Sequence, residues 1–422
     1  MVYLDKIISL YKKNKLIFFK KLFLKSLRII FSLPLFPFSF FIFILILLAS
    51  PIIKIRIGTL PTTRVAHFAV NVDLYLSYKK YFQKKKTLDI FFQERFVSNE
   101  YLLKIWKRKI LVGNRFIFTQ VYLLICFFHA NNHKIPIIKT DRDIFNIHAN
   151  PIIEQNIKLS FEEESRGYEI LENIGLKKND KFVCLNVRDD NYLKTIHPDT
   201  DWSYHDYRNS DVKNYFFAAE NLASRGYYVL RMGSSNKQKL ISNNKRIIDY
   251  SFSKFRSDFM DIFLCSKCSF IISNSGGVDA FTKLFRKPIV WVNFVPIAWL
   301  STFNKNYVHL FKKHFSIKLQ RELSLKEIFD HGVAGNLNTE TYKKKGIDLV
   351  ENSPQEISDA VLELDDMINR KNFFNKNHEN NNKLFWDIYE KKLIEYNFRD
   401  LHGKLLGRYS SKFLQNNKKF LS

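Results

Sequence analysis

Three short stretches place arginine, glycine and hydroxyl residues where they can grip a phosphate. They are Val187-Arg188-Asp189-Asp190, Leu230-Arg231-Met232-Gly233 and Ile272-Ser273-Asn274-Ser275-Gly276-Gly277. Each follows an apolar run that reads as a strand, and in open parallel sheets ligands bind beyond the carboxyl ends of the strands. A guanidinium holds phosphate oxygens in bidentate geometry. A glycine permits close approach, and a strand that runs into a helix start presents backbone N–H groups to an anion. Together these stretches predict a diphosphate site. Arg188 and Arg231 are its expected neutralising groups, Asn274, Ser275, Gly276 and Gly277 its phosphate turn, and Gly233 a point of close approach. Asp258 is expected to orient a nucleotide or an arginine. Neither a Walker loop nor a G-x-G-x-x-G fingerprint is present, which argues against a plain ATPase or dehydrogenase.

A proton acceptor is harder to place. His67 follows the first expected strand and turn, and the ordinary imidazole pKa suits a general base. Asp189 and Asp190 are rivals on the diphosphate side. The pairs Asp141-Arg-Asp143 and Asp199-Thr-Asp201 have D-x-D spacing, yet neither follows a strand pattern, so no metal is expected. The four cysteines include one isolated C-x-x-C, Cys265 to Cys268, read as buried structural thiols.

The elements that must hold these residues follow from periodicity. Strands are expected at 182–187, 227–231, 245–249, 269–273 and 289–293. Helices separate them: one over 161–174 under a Ser160/Glu163 capping box, one from Ser210 or Asp211 to Gly226, one capped by Ser257, and one ending at Phe285. Such alternation predicts right-handed crossovers and a parallel sheet. Upstream, strands at 52–57, 88–93 and 110–113 and a helix from Arg64 to about Tyr78 predict a first α/β domain. Two more capping boxes, Ser324/Glu327 and Ser353/Glu356, predict a helical C-terminal part. The expected division is a basic and hydrophobic segment over 1–51, a Rossmann-like domain over 52–160, and a second over 161–370. A helical tail over 371–422 is expected to pack back on the first domain.

The formal charge of +26 points to an anionic partner, lipid or nucleic acid. No nucleic-acid motif accompanies it, whereas the N-terminus favours lipid. Residues 16–28 read as a basic amphipathic helix with Phe19 and Phe23 on its apolar side. Ile29 to Ile53 contains no charge. Pro34 and Pro37 break that run and leave Phe38–Ser50 as a helix of about 20 Å, short of the roughly 30 Å hydrocarbon core. The expectation is membrane attachment at the cytoplasmic face of the inner membrane, by spanning or by dipping. The run starts far from Met1 and lacks an A-x-A-like site, which disfavours a signal peptide.

Several segments together resemble a bacterial family. They are Leu185-Asn-Val-Arg-Asp189-x-x-Tyr192, Tyr207-Arg-Asn-Ser-Asp211, Gly226-Tyr-Tyr-Val-Leu-Arg-Met-Gly233, Ile248-Asp-Tyr250, Ser257-Asp-Phe-Met-Asp-Ile262 and Ser275-Gly276. Arg56-Ile-Gly58-x-Leu60-x-Thr62-x-Arg64-x-x-His67, Gly346-Ile-x-Leu-Val-Glu-Asn352 and His402-Gly403 add to the likeness. The chain is similar, from about residue 52 onward, to glycosyltransferases encoded in surface-polysaccharide gene clusters. The resemblance implies a GT-B architecture, two facing Rossmann-like domains with the donor sugar nucleotide held by the second. Val187-Arg188-Asp189-x-x-Tyr192 is also similar to the H-x-R-x-G-D element of fucosyltransferases, which implies that Arg188 clamps the donor diphosphate. Asn186 stands where those enzymes usually have histidine, so a GDP-sugar donor does not follow. The implied activity is hexosyl or deoxyhexosyl transfer from a nucleotide sugar to a lipid-linked saccharide in surface-polysaccharide biosynthesis, with no further cofactor. Alternatives are pyruvyl transfer on the same fold and a non-catalytic, nucleotide-binding membrane scaffold. A nucleic-acid partner is not expected.

Overall fold

Thirteen strands and the helices between them form the described part of the computed structural model, residues 33–136, 142–196, 198–370 and 374–422 with Phe19 and Phe23. The rest of the expected amphipathic helix over 16–28 lies outside the described residues, as does Asp141. Contacts divide the chain into two units that interleave in sequence. The first takes the described parts of Met1–Thr63, Lys84–Val97 and Trp106–Ile137; the second takes Arg64–Gln83, Ser98–Ile105 and Ile138–Ser422. Both are built on α/β architecture with parallel sheets.

In the first unit, β1 (Lys54–Leu60), β2 (Thr87–Gln93) and β3 (Leu111–Val112) form a parallel sheet in that order. Arg56 stands in register with Asp89. Its Nε and NH2 reach the two carboxylate oxygens at 2.7 and 3.0 Å. A buried, bidentate pair of this kind pins the register, since a slip by one residue would strand both charges. Helix Phe36–Ala49 tolerates Pro37 because proline lies in its first turn, where the missing N–H has no partner to lose. It buries Ser39, Phe43 and Ile46, packing against helix Arg115–Phe127, which Asn114 caps by accepting from the Phe116 and Ile117 N–H groups. The core is Phe43, Ile46, Ile57, Phe92, Val121, Leu124 and Ile125. Among the described residues, no helix is long and apolar enough to cross a membrane.

The second unit carries β4 (Phe182–Asn186), β5 (Tyr228–Arg231), β6 (Ile247–Ile248), β7 (Ile271–Ser273), β8 (Ile289–Phe294) and β9 (Tyr307–Phe311). A small antiparallel sheet follows, β10 (Lys313–Ser316) between β11 (Arg321–Glu322) and β12 (Ile347–Val350). With β13 (Arg408–Tyr409), the large sheet has the order β13-β9-β8-β7-β4-β5-β6 and is parallel throughout. The chain winds from β4 to β5 and β6 in one direction, then returns to β7 on the other flank of β4. That reversal is the topological switch point at which open α/β sheets form a crevice. All three expected capping boxes are present, at Ser160, Ser324 and Ser353.

The C-terminal segment, expected to return to the first domain, completes the edge of this sheet. Phe385 and Tyr389 of helix Lys376–Glu395 are fully buried. Phe385 stacks on Tyr409 with ring centroids 4.4 Å apart. Cys184, Cys265 and Cys268 are buried free thiols. Burial pushes each thiol up, which keeps it protonated and unreactive.

Candidate anion-binding site

The switch point between β4 and β7 is built around two small polar side chains. Asn274, directly after β7, accepts from the Arg188 N–H at 2.7 Å and donates to the Arg208 carbonyl at 3.1 Å. It thus ties together the ends of β4 and β7 and the 203–208 turn. The Ser273 hydroxyl donates to Asp279 at 3.0 Å and accepts from Asn186 Nδ2 at 3.3 Å. It also accepts from the Ser275 and Gly276 N–H groups at 3.2 and 3.4 Å. Ser275 is held at φ 72°, a left-handed conformation that costs a side-chain-bearing residue about 1–3 kcal/mol and persists where the surroundings impose it. Gly276 lies against Asn186, so a Cβ there would overlap Nδ2. A Cβ on Gly277 would come within 2.5 Å of Val65.

Cations gather over this turn. Arg188 donates from NH1 to the His205 carbonyl at 3.3 Å and to Asn209 Oδ1. Arg208 donates from NH2 to the Ser275 carbonyl and, at 3.4 Å, to its hydroxyl. Lys312, which follows β9, donates from Nζ to the Tyr207 and Asn209 carbonyls at 3.2 and 2.6 Å. Among the described residues, no carboxylate lies within ion-pair distance of Arg188 or Arg208. Burial, then the neighbouring Arg208 charge, lowers Arg188 to about 10. Burial and the charges of Arg208, Arg188 and Arg64 push His205 down to about 4. Burial brings Lys312 to about 8 despite the favourable Glu351 charge. Positive groups crowded this closely, with neither arginine in ion-pair distance of a carboxylate among the described residues, form a site whose electrostatics favour an anion. Trp202, Tyr204 and His205 add flat ring faces beside it, with the Tyr204 and His205 centroids 4.1 Å apart.

The structure brings Arg188, Asn274, Ser275, Gly276 and Gly277 together at the ends of β4 and β7, where each has a different part. The N–H groups of Ser275 and Gly276 serve the Ser273 hydroxyl, so the turn contributes shape more than free donors. Arg231 requires correction. It is 2% exposed and pairs with Asp249 at 3.2 Å while donating to the Gln238 carbonyl, so it holds the loop between β5 and β6 and does not share the cationic cluster. Gly233, at φ 131°, makes the turn into that loop. Asp258 accepts from the Glu100 N–H at 2.8 Å and lies 3.6 Å from Arg256. Asp189 is a cap: its oxygens accept from the Asn191 and Lys237 N–H groups at 3.0 and 2.8 Å. Asp190 pairs with Lys194. Asp143 uses both oxygens on the Ile147 and His148 N–H groups at 2.7 Å, and Asp201 caps Ser203 at 3.0 Å.

His67 opens a π-helical turn, His67–Asn71, and its Nδ1 lies 3.5 Å from Asn71 Nδ2. That turn packs on the helix Asp279–Leu284 that follows the Ser275–Gly277 turn, and single π-turns recur at functional sites. Residues missed from sequence are Arg208, Lys312, His205 and Arg64. Arg208 lies in a segment that had carried only a resemblance. Lys312 would have followed from the strand-end rule had β9 been recognised. Glu351 and Asn352 brace the site from behind: Glu351 accepts from the Asp211 N–H at 3.0 Å and Asn214 at 2.9 Å. His402 is buried against Thr302 and the Ala298 carbonyl, at 3.1 Å each, and burial lowers it to about 3. Its role is packing.

No family model and no curated protein matches the sequence. Among solved structures, the chain is similar to the ADP-heptose lipopolysaccharide heptosyltransferase II of E. coli, at 13% identity and TM-score 0.33 over 61% of this chain and 90% of that one. It is similar to a family 9 glycosyl transferase from Veillonella parvula DSM 2008, at 11% identity and TM-score 0.36 over 57% and 80% of the two chains. The dodecameric iron-containing heptosyltransferase TibC gives 11% identity and TM-score 0.31 over 57% and 59%. These likenesses are too distant to assign an activity to this chain.

Proposed function

We propose that the chain is a glycosyltransferase of GT-B type whose second unit holds the diphosphate of a nucleotide-sugar donor at the β4/β7 switch point. One observation carries this reading: Arg188 and Lys312 on the 205–209 segment and Arg208 on the Ser275 turn gather at one place, and among the described residues neither arginine has a carboxylate within ion-pair distance. A leaving diphosphate gathers negative charge in the transition state, and preorganised guanidinium groups offset it where a metal otherwise would. The aromatic row Trp202, Tyr204 and His205 is suited to carry the base. His67 is the proposed general base toward the acceptor hydroxyl. We read the acceptor as a lipid-linked saccharide of surface-polysaccharide biosynthesis, the transferred group as a hexosyl or deoxyhexosyl unit, and the place of action as the cytoplasmic face of the inner membrane. The apolar helix and basic N-terminal sequence support membrane attachment.

The test combines ligand and variant. UDP, GDP, CMP and dTDP are compared by thermal unfolding, and one of them is expected to raise Tm well above the others. Arg188→Ala should abolish that shift and lower transfer by at least about 10²-fold, the usual effect of removing one preorganised charge-assisted donor, with its own unfolding curve little changed. Full transfer by the variant would remove the assignment. A nucleoside diphosphate shift without any sugar transfer would favour the scaffold alternative, and an absence of any nucleoside diphosphate effect would remove the donor-site reading.

A further inference from the structure

The first unit carries two helices with large apolar side chains on their exposed faces. Helix Phe36–Ala49 has no charged residue and buries only Ser39, Phe43 and Ile46. Phe38, Phe41 and Leu48 are 54, 58 and 69% exposed. Helix Arg115–Phe127, on which it packs, has the same character on its outer side. Val121, Leu124 and Ile125 face the core, while Phe116, Leu123 and Phe127 are 58, 60 and 75% exposed. Spacings of seven and four residues bring these three side chains to within about 20° of one direction on a helix of about 100° per residue. Phe43 of the first helix stacks on Phe128 at the end of the second, with ring centroids 5.4 Å apart, so the two helices form one layer. An exposed apolar patch on this scale marks an interaction surface.

The charge balance of the unit points to what covers this face. The described residues of this unit carry eleven lysines and arginines against two carboxylates, Asp89 and Glu94. Asp89 is neutralised by Arg56, and Glu94 accepts from the Thr63 N–H at 2.9 Å. A strongly basic unit that carries two largely apolar helix faces, with Arg115 at the start of the second, complements an anionic lipid surface, its cations suited to headgroups and its phenylalanines to acyl chains. A helix of 14 residues is about 21 Å long, too short for a hydrocarbon core of roughly 30 Å. It lies in the interface at no such cost.

We propose that helices Phe36–Ala49 and Arg115–Phe127 together form a monotopic docking face set into one leaflet of an anionic bilayer, with Phe116, Leu123 and Phe127 immersed. This rests on the membrane-attachment part of the proposed function and is independent of the sugar-transfer part. The test uses the full chain with vesicles of phosphatidylcholine, alone or mixed with phosphatidylglycerol. The chain should co-sediment with the mixed vesicles, and Phe116→Ser, Leu123→Ser and Phe127→Ser together should weaken binding by at least about tenfold while the unfolding curve holds. In a Cys126→Ser background, an environment-sensitive dye on Leu123→Cys should shift to the blue with vesicles and be quenched by bromolipid. That single-site probe decides the matter even if the triple variant folds poorly. If the full chain ignores vesicles, the attachment reading itself falls. If it binds but the triple variant binds equally, or the dye stays in water, the two-helix docking face is overturned. Shielding of the dye by concentration-dependent dimers without lipid would also overturn the proposal.

Discussion

His205 reports on the cationic cluster more directly than any of its arginines. Its ring is held near a pKa of about 4 by burial and by the charges of Arg208, Arg188 and Arg64, and at neutral pH it is uncharged. Removing one of those charges leaves the burial in place but relieves part of the repulsion. Arg208→Gln is therefore expected to raise the His205 pKa toward the ordinary 6.5, by on the order of one unit for one close like charge. An NMR titration of the imidazole checks this, and an unmoved pKa would show that Arg208 does not face the ring. Binding of a nucleoside diphosphate should move it in the same direction, since an anion favours the imidazolium. At this scale the sequence was half legible. Arg188 and Arg231 both leave a strand end and looked alike, but only the folded chain shows that Asp249, eighteen residues along, has already claimed Arg231.

Strands and helices with strong periods were legible, and those without them were not. The serine capping boxes marked three helix starts because the box is a local device, complete within four residues. Strand β9, Tyr-Val-His-Leu-Phe, is buried on both faces, so it lacks alternation, and its internal His309 disguises it further. With β9 unseen, Lys312 at its end was unseen too. Strand β13 has two residues and leaves no period at all. Glu351, the residue after β12, could not be placed from its neighbours because its partners come from other elements. It accepts from Asp211, Asn214 and Asn293, and Asn352 donates to Asn293 and to the Phe311 carbonyl at 2.8 and 2.7 Å. The pair fastens the segment carrying Arg208 to the end of β8. Glu351→Ala should cost about 1–3 kcal/mol, because it leaves donors without partners, and should weaken nucleoside diphosphate binding as Arg208 drifts. Glu351→Gln should recover part of both. Urea unfolding beside a binding isotherm is the check; unchanged values for the alanine variant would refute the bracing role.

At the scale of the whole chain, a linear division at residue 160 was the natural expectation, because contacts between distant segments leave no mark on local sequence. The observed units interleave, and the last stretch of chain is fastened into the second unit by a buried carboxylate. Glu363, 5% exposed on helix Pro354–Asn369, accepts from the Ser411 N–H and hydroxyl at 2.7 and 2.8 Å. Burial outweighs those hydrogen bonds and pushes its pKa from 4.5 up to about 7. The fold therefore favours the protonated form, and folding takes up a proton between the two values. The resulting stabilisation is full below pH 4.5 and is lost as pH rises through about 7, with an upper bound of about 3 kcal/mol. Glutamine keeps a carbonyl acceptor for Ser411 and cannot ionise. Glu363→Gln should thus be more stable than the parent above neutrality, and the two should converge at low pH. Tm measured across that range should show the parent falling away from the variant as pH rises; parallel profiles would mean that Glu363 titrates alike in the folded and unfolded chain, and that burial is offset there by its hydrogen bonds and by Arg408, 4.0 Å away.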